Sequence, residues 1–301
     1  MTDMPQPDQI PPESAPPETA SSDKILVFVP CYNCAPQIGR VLAQFTPEQG
    51  RWFAEILVLD NGSRDGTLAA ARAAAPDACV PRVRIARNRT NVNLGGSHKA
   101  AFAYAAAHGF SHVAVLHGDD QGAIADLIPV LAAGRHRRHD ACLGARFAPG
   151  ARLQGYSRVR ILGNLGMNAL FSLGAGRRVR DLGSGLNIFA RPVFADMDLT
   201  RAADDLRFNI FLLLGLIDQR RDFIYFPITW REDDQISNVR LVSQAWGTLR
   251  ILFDHVARRG HFRRADHRAE VPDGYVFDVL HDITPAAGQG AGHGAGKGAG
   301  A

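Results

Sequence analysis

Near-continuous apolar runs alternate with stretches of helical spacing through the middle of the chain. KILVFVP (24–30) is apolar almost throughout and ends in proline, so it predicts a buried strand. PQIGRVLAQF (36–45) has helical spacing. AEILVLD (54–60) is a second buried strand, and the alanine-rich DGTLAAARAAA (65–75) predicts a helix by propensity. RVRIAR (82–87) is a short strand, GGSHKAAFAYAAAHG (95–109) a helix that stops at a glycine, and HVAVLHG (112–118) the next strand. AIADLIPVLAAG (123–134) then predicts a helix and HDACLGARF (139–147) a strand. This alternation implies an α/β fold, a mostly parallel sheet with helices on both faces. In such sheets ligands bind beyond the carboxyl ends of the strands. Those ends carry PCYN, DNGS and HGDDQ, so three polar clusters converge on one crevice.

The ends of the chain read differently. Residues 1–22 are Pro-rich and acidic with no apolar core, which predicts a disordered leader and no signal peptide. Residues 283–301 run into Gly/Ala low complexity and are expected to be unstructured. Between them, 23–235 forms the expected catalytic domain and 236–282 an extension with a C-terminal amphipathic helix. The longest apolar run, FNIFLLLGLI (208–217), is about half of the roughly 20 residues a membrane-spanning helix needs.

A net charge of +4 is mildly basic. It suits phosphates or anionic lipid and is too weak to argue for nucleic acid. Of the four cysteines, Cys31 and Cys34 form a C-x-x-C. A redox or zinc role is the sharp reading, but no second C-x-x-C completes a zinc site and the pattern is not thioredoxin-like. A reducing cytoplasm is the expected setting.

Each polar cluster has a chemical reading and a structural one. Asp60 could accept hydrogen bonds from a nucleobase or ribose; equally, DNGS could be an Asx turn leading to a helix cap. Asn33 is open in the same way. HGDDQ is harder to explain as a plain turn. Asp119 and Gln121 both offer oxygen to a hard divalent cation such as Mg²⁺ or Mn²⁺, and that cation would neutralise a departing diphosphate.

The ordered set VPCYN (29–33), VLDNGSRDGT (58–67), NRTNVNLGGSHKAAF (88–102), LHGDDQ (116–121), LGARF (143–147), DLGSGLNIF (181–189) and PITWREDDQISN (227–238) resembles a family-2 glycosyltransferase of the GT-A fold. It is most similar to the polyprenyl-phosphate glycosyltransferases of the dolichyl-phosphate mannose synthase type, over roughly residues 24–240. The resemblance implies that Pro30, Tyr32, Asn33 and Asp60 hold nucleobase and ribose. It maps Asp119 and Gln121 to metal ligands and places His117 where the family has the first acid of its D-x-D. His117 could still contact the ribose of the nucleotide sugar or a metal-bound water, but it brings no negative charge at neutral pH and could lower metal affinity or shift metal choice. Cys34 stands where the family usually has an acid, which further weakens the redox reading.

The resemblance also implies that Arg146, Arg160 and Asn164 hold the phosphate of a lipid acceptor. Arg160 and Asn164 are four apart and share a helix face, and guanidinium forks suit phosphate. The structural alternative is that these arginines pair with acids. Asp204-Asp205 resembles the acidic pair of relatives that glycosylate sugars, in which the second acid is the general base. Asp205 therefore separates two acceptors, since a phosphate needs no proton removed and a hydroxyl does.

The helix RVRILGNLGMNALFSLG (158–174) carries Ile161, Leu162, Leu165, Ala169, Leu170 and Leu173 at helical spacing. NVRLVSQAWGTLRILFDHVARR (238–259) puts Val242, Trp246, Leu249, Phe253 and Val256 on one face, flanked by Arg240, Arg250, Arg258 and Arg259. Such basic amphipathic helices either lie in a bilayer interface or pack on their own sheet.

The expected protein is an inverting hexosyltransferase at the inner face of the cell membrane. It would use a nucleotide sugar and Mg²⁺ or Mn²⁺, with a polyprenyl phosphate or a lipid-linked glycan as acceptor. A non-catalytic nucleotide-binding protein is the alternative of another class. A nucleotidyltransferase lacks support, because its Gly-rich, lysine-bearing loop is absent.

Overall fold

The computed structural model describes residues 23–232 and 241–285. The leader 1–22, the motif residues after Glu232, Arg240, the side chain of Val242 and the tail from 286 lie outside the described residues.

The described residues form ten strands: β1 (Ile25–Cys31), β2 (Glu55–Asp60), β3 (Val83–Asn88), β4 (His112–Leu116), β5 (Ala141–Ala145), β6 (Arg152–Gln154), β7 (Leu186–Ala190), β8 (Phe223–Pro227), β9 (Thr229–Arg231) and β10 (Phe277–Ile283). Eight of them form one sheet in the order β10-β3-β2-β1-β4-β7-β5-β8, and β6 pairs with β9 in a small second sheet. Six strands of the large sheet run the same way, while β7 and β10 run against their neighbours.

The main helices are α1 (Ala35–Ala43), α2 (Thr67–Ala74), α3 (Asn93–Ala107), α4 (Arg158–Ala175), α5 (Phe208–Asp218) and α6 (Leu241–Ala257). The segment 123–134, expected as one helix, forms a 3-10 turn and a short helix, Ile128–Ala132. Pro129 sits at the start of that helix, and its missing N–H cannot continue a preceding turn.

The buried runs of β1, β2 and β4 are apolar on both faces, as a sheet covered on both sides requires. One core lies under α1 and α2 and contains Val27, Ile38, Leu42 and Val58. The other lies under α3 and α5 and contains Phe28, Phe102, Phe208 and Leu214. The run 208–217 is therefore a core helix, and no helix among the described residues is long and apolar enough to cross a membrane.

Strands β6 to β10 were not foreseen, and two of them change the large sheet. The antiparallel β7 inserts between β4 and β5. The extension after 236 also supplies β10, which pairs with β3 and joins the main sheet rather than standing apart from it. β10 runs to Ile283, one residue into the stretch expected to be unstructured.

α4 and α6 lie together, so closely that a β-carbon on Gly174 would stand 2.7 Å from a Leu252 methyl. Their apolar faces are nevertheless open to solvent. Val159, Leu162 and Leu173 on α4 are 76%, 70% and 83% exposed, and Trp246 and Phe253 on α6 are 71% and 62% exposed.

Candidate active site

A cavity of about 510 Å³ opens where the carboxyl ends of β1, β2 and β4 meet the start of α3. Pro30, Cys31, Tyr32, Cys34, His117 and Asp119 line one side; Asn61, Asn91, Asn93 and Ser97 line another, and Asp205 and Leu206 close it. A second cavity of about 760 Å³ adjoins it, walled by Arg89–Asn93, Asp204, Asp205 and the segment 269–276. Asn91, Asn93 and Asp205 belong to both.

Backbone strain collects here. Asn33, Asn93 and Asp120 all have positive φ, at 52°, 58° and 58°. Such conformations cost energy, and they persist where surrounding contacts hold them.

Asp120 shows how the site is held. Its carboxylate is gripped by Arg40 Nε at 2.7 Å, Arg231 Nη2 at 3.1 Å and Gln44 Nε2 at 3.0 Å. That anchor fixes the turn, so Asp119 rather than Asp120 lines the cavity. Asp119 accepts the Gln121 N–H at 3.2 Å and has no ion pair among the described residues. Burial pushes its carboxyl up to about 6. A half-buried carboxylate without a counter-ion fits a cation site, and bound metal would supply the missing charge. His117 adds a second indication. Its buried Nε2 has no hydrogen-bond partner, and burial with the nearby Arg146 charge pushes its pKa down to about 4, leaving a neutral ring whose Nε2 is unpartnered. The Gln121 side chain does not line the cavity.

A different Asp/His group, Asp23–His112–His136, has ligand atoms within 4.8 Å of one another. It sits at the opposite ends of β1 and β4, and Arg137 already binds Asp23 at 2.6 Å, so it pins the start of β1 rather than serving the cavity.

The other expected residues divide. Pro30 and Tyr32 line the cavity. Asn33 does not: its Oδ1 accepts the Arg64 N–H, and its own N–H donates to Ser63 Oγ. Asp60 is fully buried; its carboxylate accepts the N–H groups of Gly62 and Ser63 and lies 3.4 Å from Arg87 Nε. That is the Asx turn of the structural reading, supporting the cleft from beneath.

The two arginines are paired with acids, as their structural alternative anticipated. Arg146 forks onto Asp181 at 2.9 and 2.8 Å and donates to Gly183 O. Arg160 pairs with Glu232 and lies over the Tyr156 ring at 4.6 Å. Asn164 donates to Tyr156 Oη at 3.1 Å, so Tyr156 joins Arg160 to Asn164.

Asp205 forms a close pair with Arg207, 2.6 Å from its Nη2. Burial raises the Asp205 carboxyl, and the Arg207 hydrogen bonds and charge more than reverse this, leaving it below the ordinary range. The loop before it rests on α3. A β-carbon on Gly95 would stand 2.5 Å from Ala203 O, so glycine is what lets the Asp204 carbonyl reach the Gly95 and Gly96 N–H groups. Lys99 secures the same loop through Asp204 Oδ1 at 2.7 Å, Thr200 O, Ala202 O and Tyr275 Oη.

Asn61, Asn91, Asn93 and Ser97 received no role from sequence. The signal for Asn91 and Asn93 was present in the polar NRTNVN stretch at the end of β3, for Asn61 in DNGS after β2, and for Ser97 in GGSH at the start of α3. The wall 269–276 had none.

The comparisons with known proteins bear on the family and the fold. The family model for glycosyl transferase family 2 matches residues 26–195. The chain belongs to that family. It is 26% identical over 220 residues to a polyprenol monophosphomannose synthase of Mycolicibacterium smegmatis, covering 70% of this chain and 78% of the relative. It is 32% identical over 186 residues to the glycosyltransferase AglJ of Haloferax volcanii, covering 59% of this chain and 54% of that one. Among solved structures, glucosyl-3-phosphoglycerate synthase from Mycobacterium tuberculosis with bound UDP superposes with a TM-score of 0.57 at 18% identity, covering 88% of this chain and 91% of that chain. The same synthase with Mn²⁺ and UDP-glucose gives a TM-score of 0.55 at 19% identity, over 79% and 80% of the two chains. The GT-A fold is thus shared, and this family-2 member is a hexosyltransferase that resembles the polyprenyl-phosphate enzymes.

Proposed function

We propose that this enzyme transfers a hexose from a nucleotide-diphosphate sugar to a polyprenyl phosphate at a membrane surface, with inversion at the sugar carbon. One observation carries the acceptor assignment. Helix α4 bears Arg160 and Asn164 and also the exposed Val159, Leu162 and Leu173. A lipid chain lying along those side chains would bring its phosphate to the same helix. The exposed Trp246 and Phe253 of α6 extend the apolar strip, and Arg250, with 85% of its side chain exposed, adds positive charge beside it.

In this reading Pro30, Tyr32, Asn61, Asn91 and Asn93 bind the nucleoside. Asp119 would hold Mg²⁺ or Mn²⁺, with the His117 ring as a further ligand, since both line the cavity and Gln121 does not. A metal held there would neutralise charge on the leaving diphosphate. Arg160 and Asn164 position the acceptor phosphate, whose oxygen is already ionised and attacks without a base; Arg146 holds Asp181 and the wall behind them. The same strip supports peripheral attachment at a membrane surface. The deciding experiment incubates the protein with UDP- and GDP-hexoses, Mn²⁺, and liposomes with and without polyprenyl phosphate. Transfer that occurs equally well without the lipid phosphate overturns the assignment.

A sugar hydroxyl is the second reading, and one observation favours it: Asp205 lies where the two cavities meet. From there it could take the proton of a hydroxyl entering through the larger one.

A further inference from the structure

The C-x-x-C carried no role from sequence or from the mechanism above. Its geometry changes that. Cys31 ends β1 and Cys34 is the residue before α1, and both line the 510 Å³ cavity. Their sulphurs converge on Gly118: the position a β-carbon would take there lies 2.6 Å from Cys31 Sγ and 3.2 Å from Cys34 Sγ. The two residues bracket Tyr32 and the strained Asn33. The turn is held from its other side, by Asn33 N–H on Ser63 Oγ at 2.8 Å and Cys34 N–H on Thr67 Oγ1 at 2.9 Å.

We propose that Cys31 and Cys34 form an oxidisable dithiol in the wall of the donor cleft, a modification site for peroxides that closes to an intramolecular disulfide and weakens nucleotide binding. Only the last clause rests on the cleft taking a nucleotide.

The chemistry balances with hydrogen peroxide as oxidant. Cys34 Sγ attacks one peroxide oxygen, the O–O bond breaks, and the thiol proton leaves with the departing oxygen as water. Cys31 Sγ then attacks the sulfenic sulphur of Cys34, the S–S bond forms, and hydroxide leaves and takes the Cys31 proton as a second water. Each sulphur loses one electron and peroxide gains two. A disulfide fixes the sulphurs about 2.05 Å apart, so closure ties the end of β1 to the start of α1. The bracketed turn, which carries the exposed Tyr32 at the cavity mouth, is then tethered at both ends. Binding and oxidation are then linked: if the disulfide weakens nucleotide binding by some factor, bound nucleotide disfavours the disulfide by the same factor.

The test uses the full chain. Tryptic cleavage after Lys24 and Arg40 gives one peptide, 25–40, that holds Cys31 and Cys34 and neither Cys79 nor Cys142. The protein is treated with hydrogen peroxide, denatured, alkylated with N-ethylmaleimide and digested. The expected peptide carries no maleimide, weighs two hydrogens less than the reduced form, and takes two maleimides after dithiothreitol. Mn²⁺ with UDP or with GDP should slow its formation severalfold, and the oxidised protein should bind the protecting nucleotide more weakly than the reduced protein does. In Cys34→Ser, peroxide should no longer change nucleotide affinity. Peptide 25–40 that keeps two reactive thiols while the Cys79 peptide oxidises overturns the dithiol. A disulfide that forms without altering nucleotide affinity overturns its effect on the cleft. Failure of the reduced protein to bind either nucleotide counts against the proposed function instead, and the peptide map still decides the dithiol.

Discussion

Glu232 occupies the guanidinium of Arg160, the group assigned to the acceptor phosphate. An incoming phosphate must displace that carboxylate. Glu232→Gln should therefore lower the apparent KM for the lipid phosphate roughly three- to tenfold, since a neutral amide competes less well for the guanidinium. Arg160→Ala should reduce kcat/KM about ten- to a hundredfold, from the loss of charge-assisted bonds worth roughly 1.5–3 kcal/mol each. Steady-state kinetics with varied lipid phosphate check both, and an unchanged KM in Glu232→Gln counts against a phosphate at this position.

Asp205 distinguishes the two acceptors. With a phosphate acceptor, Asp205→Asn should leave kcat within about threefold. With a hydroxyl acceptor it should lose about 10²- to 10⁴-fold, the usual share of a general base. Circular dichroism shows whether the variant folds, and kcat with one working donor reads the outcome.

Asp119 links pH, metal and stability. Its folded pKa, about 6, lies above the ordinary carboxylate value, so folding favours the protonated form. Without metal, this group's contribution to stability is present at low pH and is lost as pH rises from the unfolded value toward 6. Asp119→Asn should then raise Tm by a few degrees at pH 7.5 in chelator, roughly 2–4 °C per kcal/mol for a domain of this size. The same variant should lose Mn²⁺-dependent nucleotide binding. In the parent protein, Mn²⁺-dependent binding should fall as pH drops below about 6, because the proton competes with the metal. Thermal scans and calorimetry at several pH values measure both effects.

The exposed faces of α4 and α6 predict membrane association. The protein should sediment with anionic liposomes at low salt and be partly released at high salt, because salt screens the contacts of arginine with the surface. Leu173→Glu and Trp246→Glu should each weaken binding more than Arg64→Glu, at an exposed position on the β2–α2 loop away from both helices. Failure to sediment at low salt would favour a soluble acceptor.

The fold was legible where burial dictates composition. β1, β2 and β4 are covered on both faces, and their runs are apolar for that reason. β10 was not legible. Its residues are mostly exposed or half-buried and include Asp278, His281 and Asp282. What makes it a strand is the free edge of β3, nearly two hundred residues earlier, and local pattern does not register so distant a partner. The site divides in the same way. Asp119 stood out because two acids and a glutamine at a strand end have few structural uses. The pairing of Arg146 with Asp181 and of Arg160 with Glu232 spans 35 and 72 residues. The arginines were visible in sequence, but whether their charge was already spent was not.

The placement of β10 has a consequence for how the molecule is made. Until residues 277–283 leave the ribosome, β3 keeps a row of backbone N–H and C=O groups open along its edge. The preceding stretch, 269–276, is also the outer wall of the larger cavity. A nascent chain halted before this point would hold most of its catalytic side chains in order. It would still present a sticky edge to other chains and a larger cavity missing one side. Addition of the last described strand thus covers the edge of β3 and completes the larger cavity in one step.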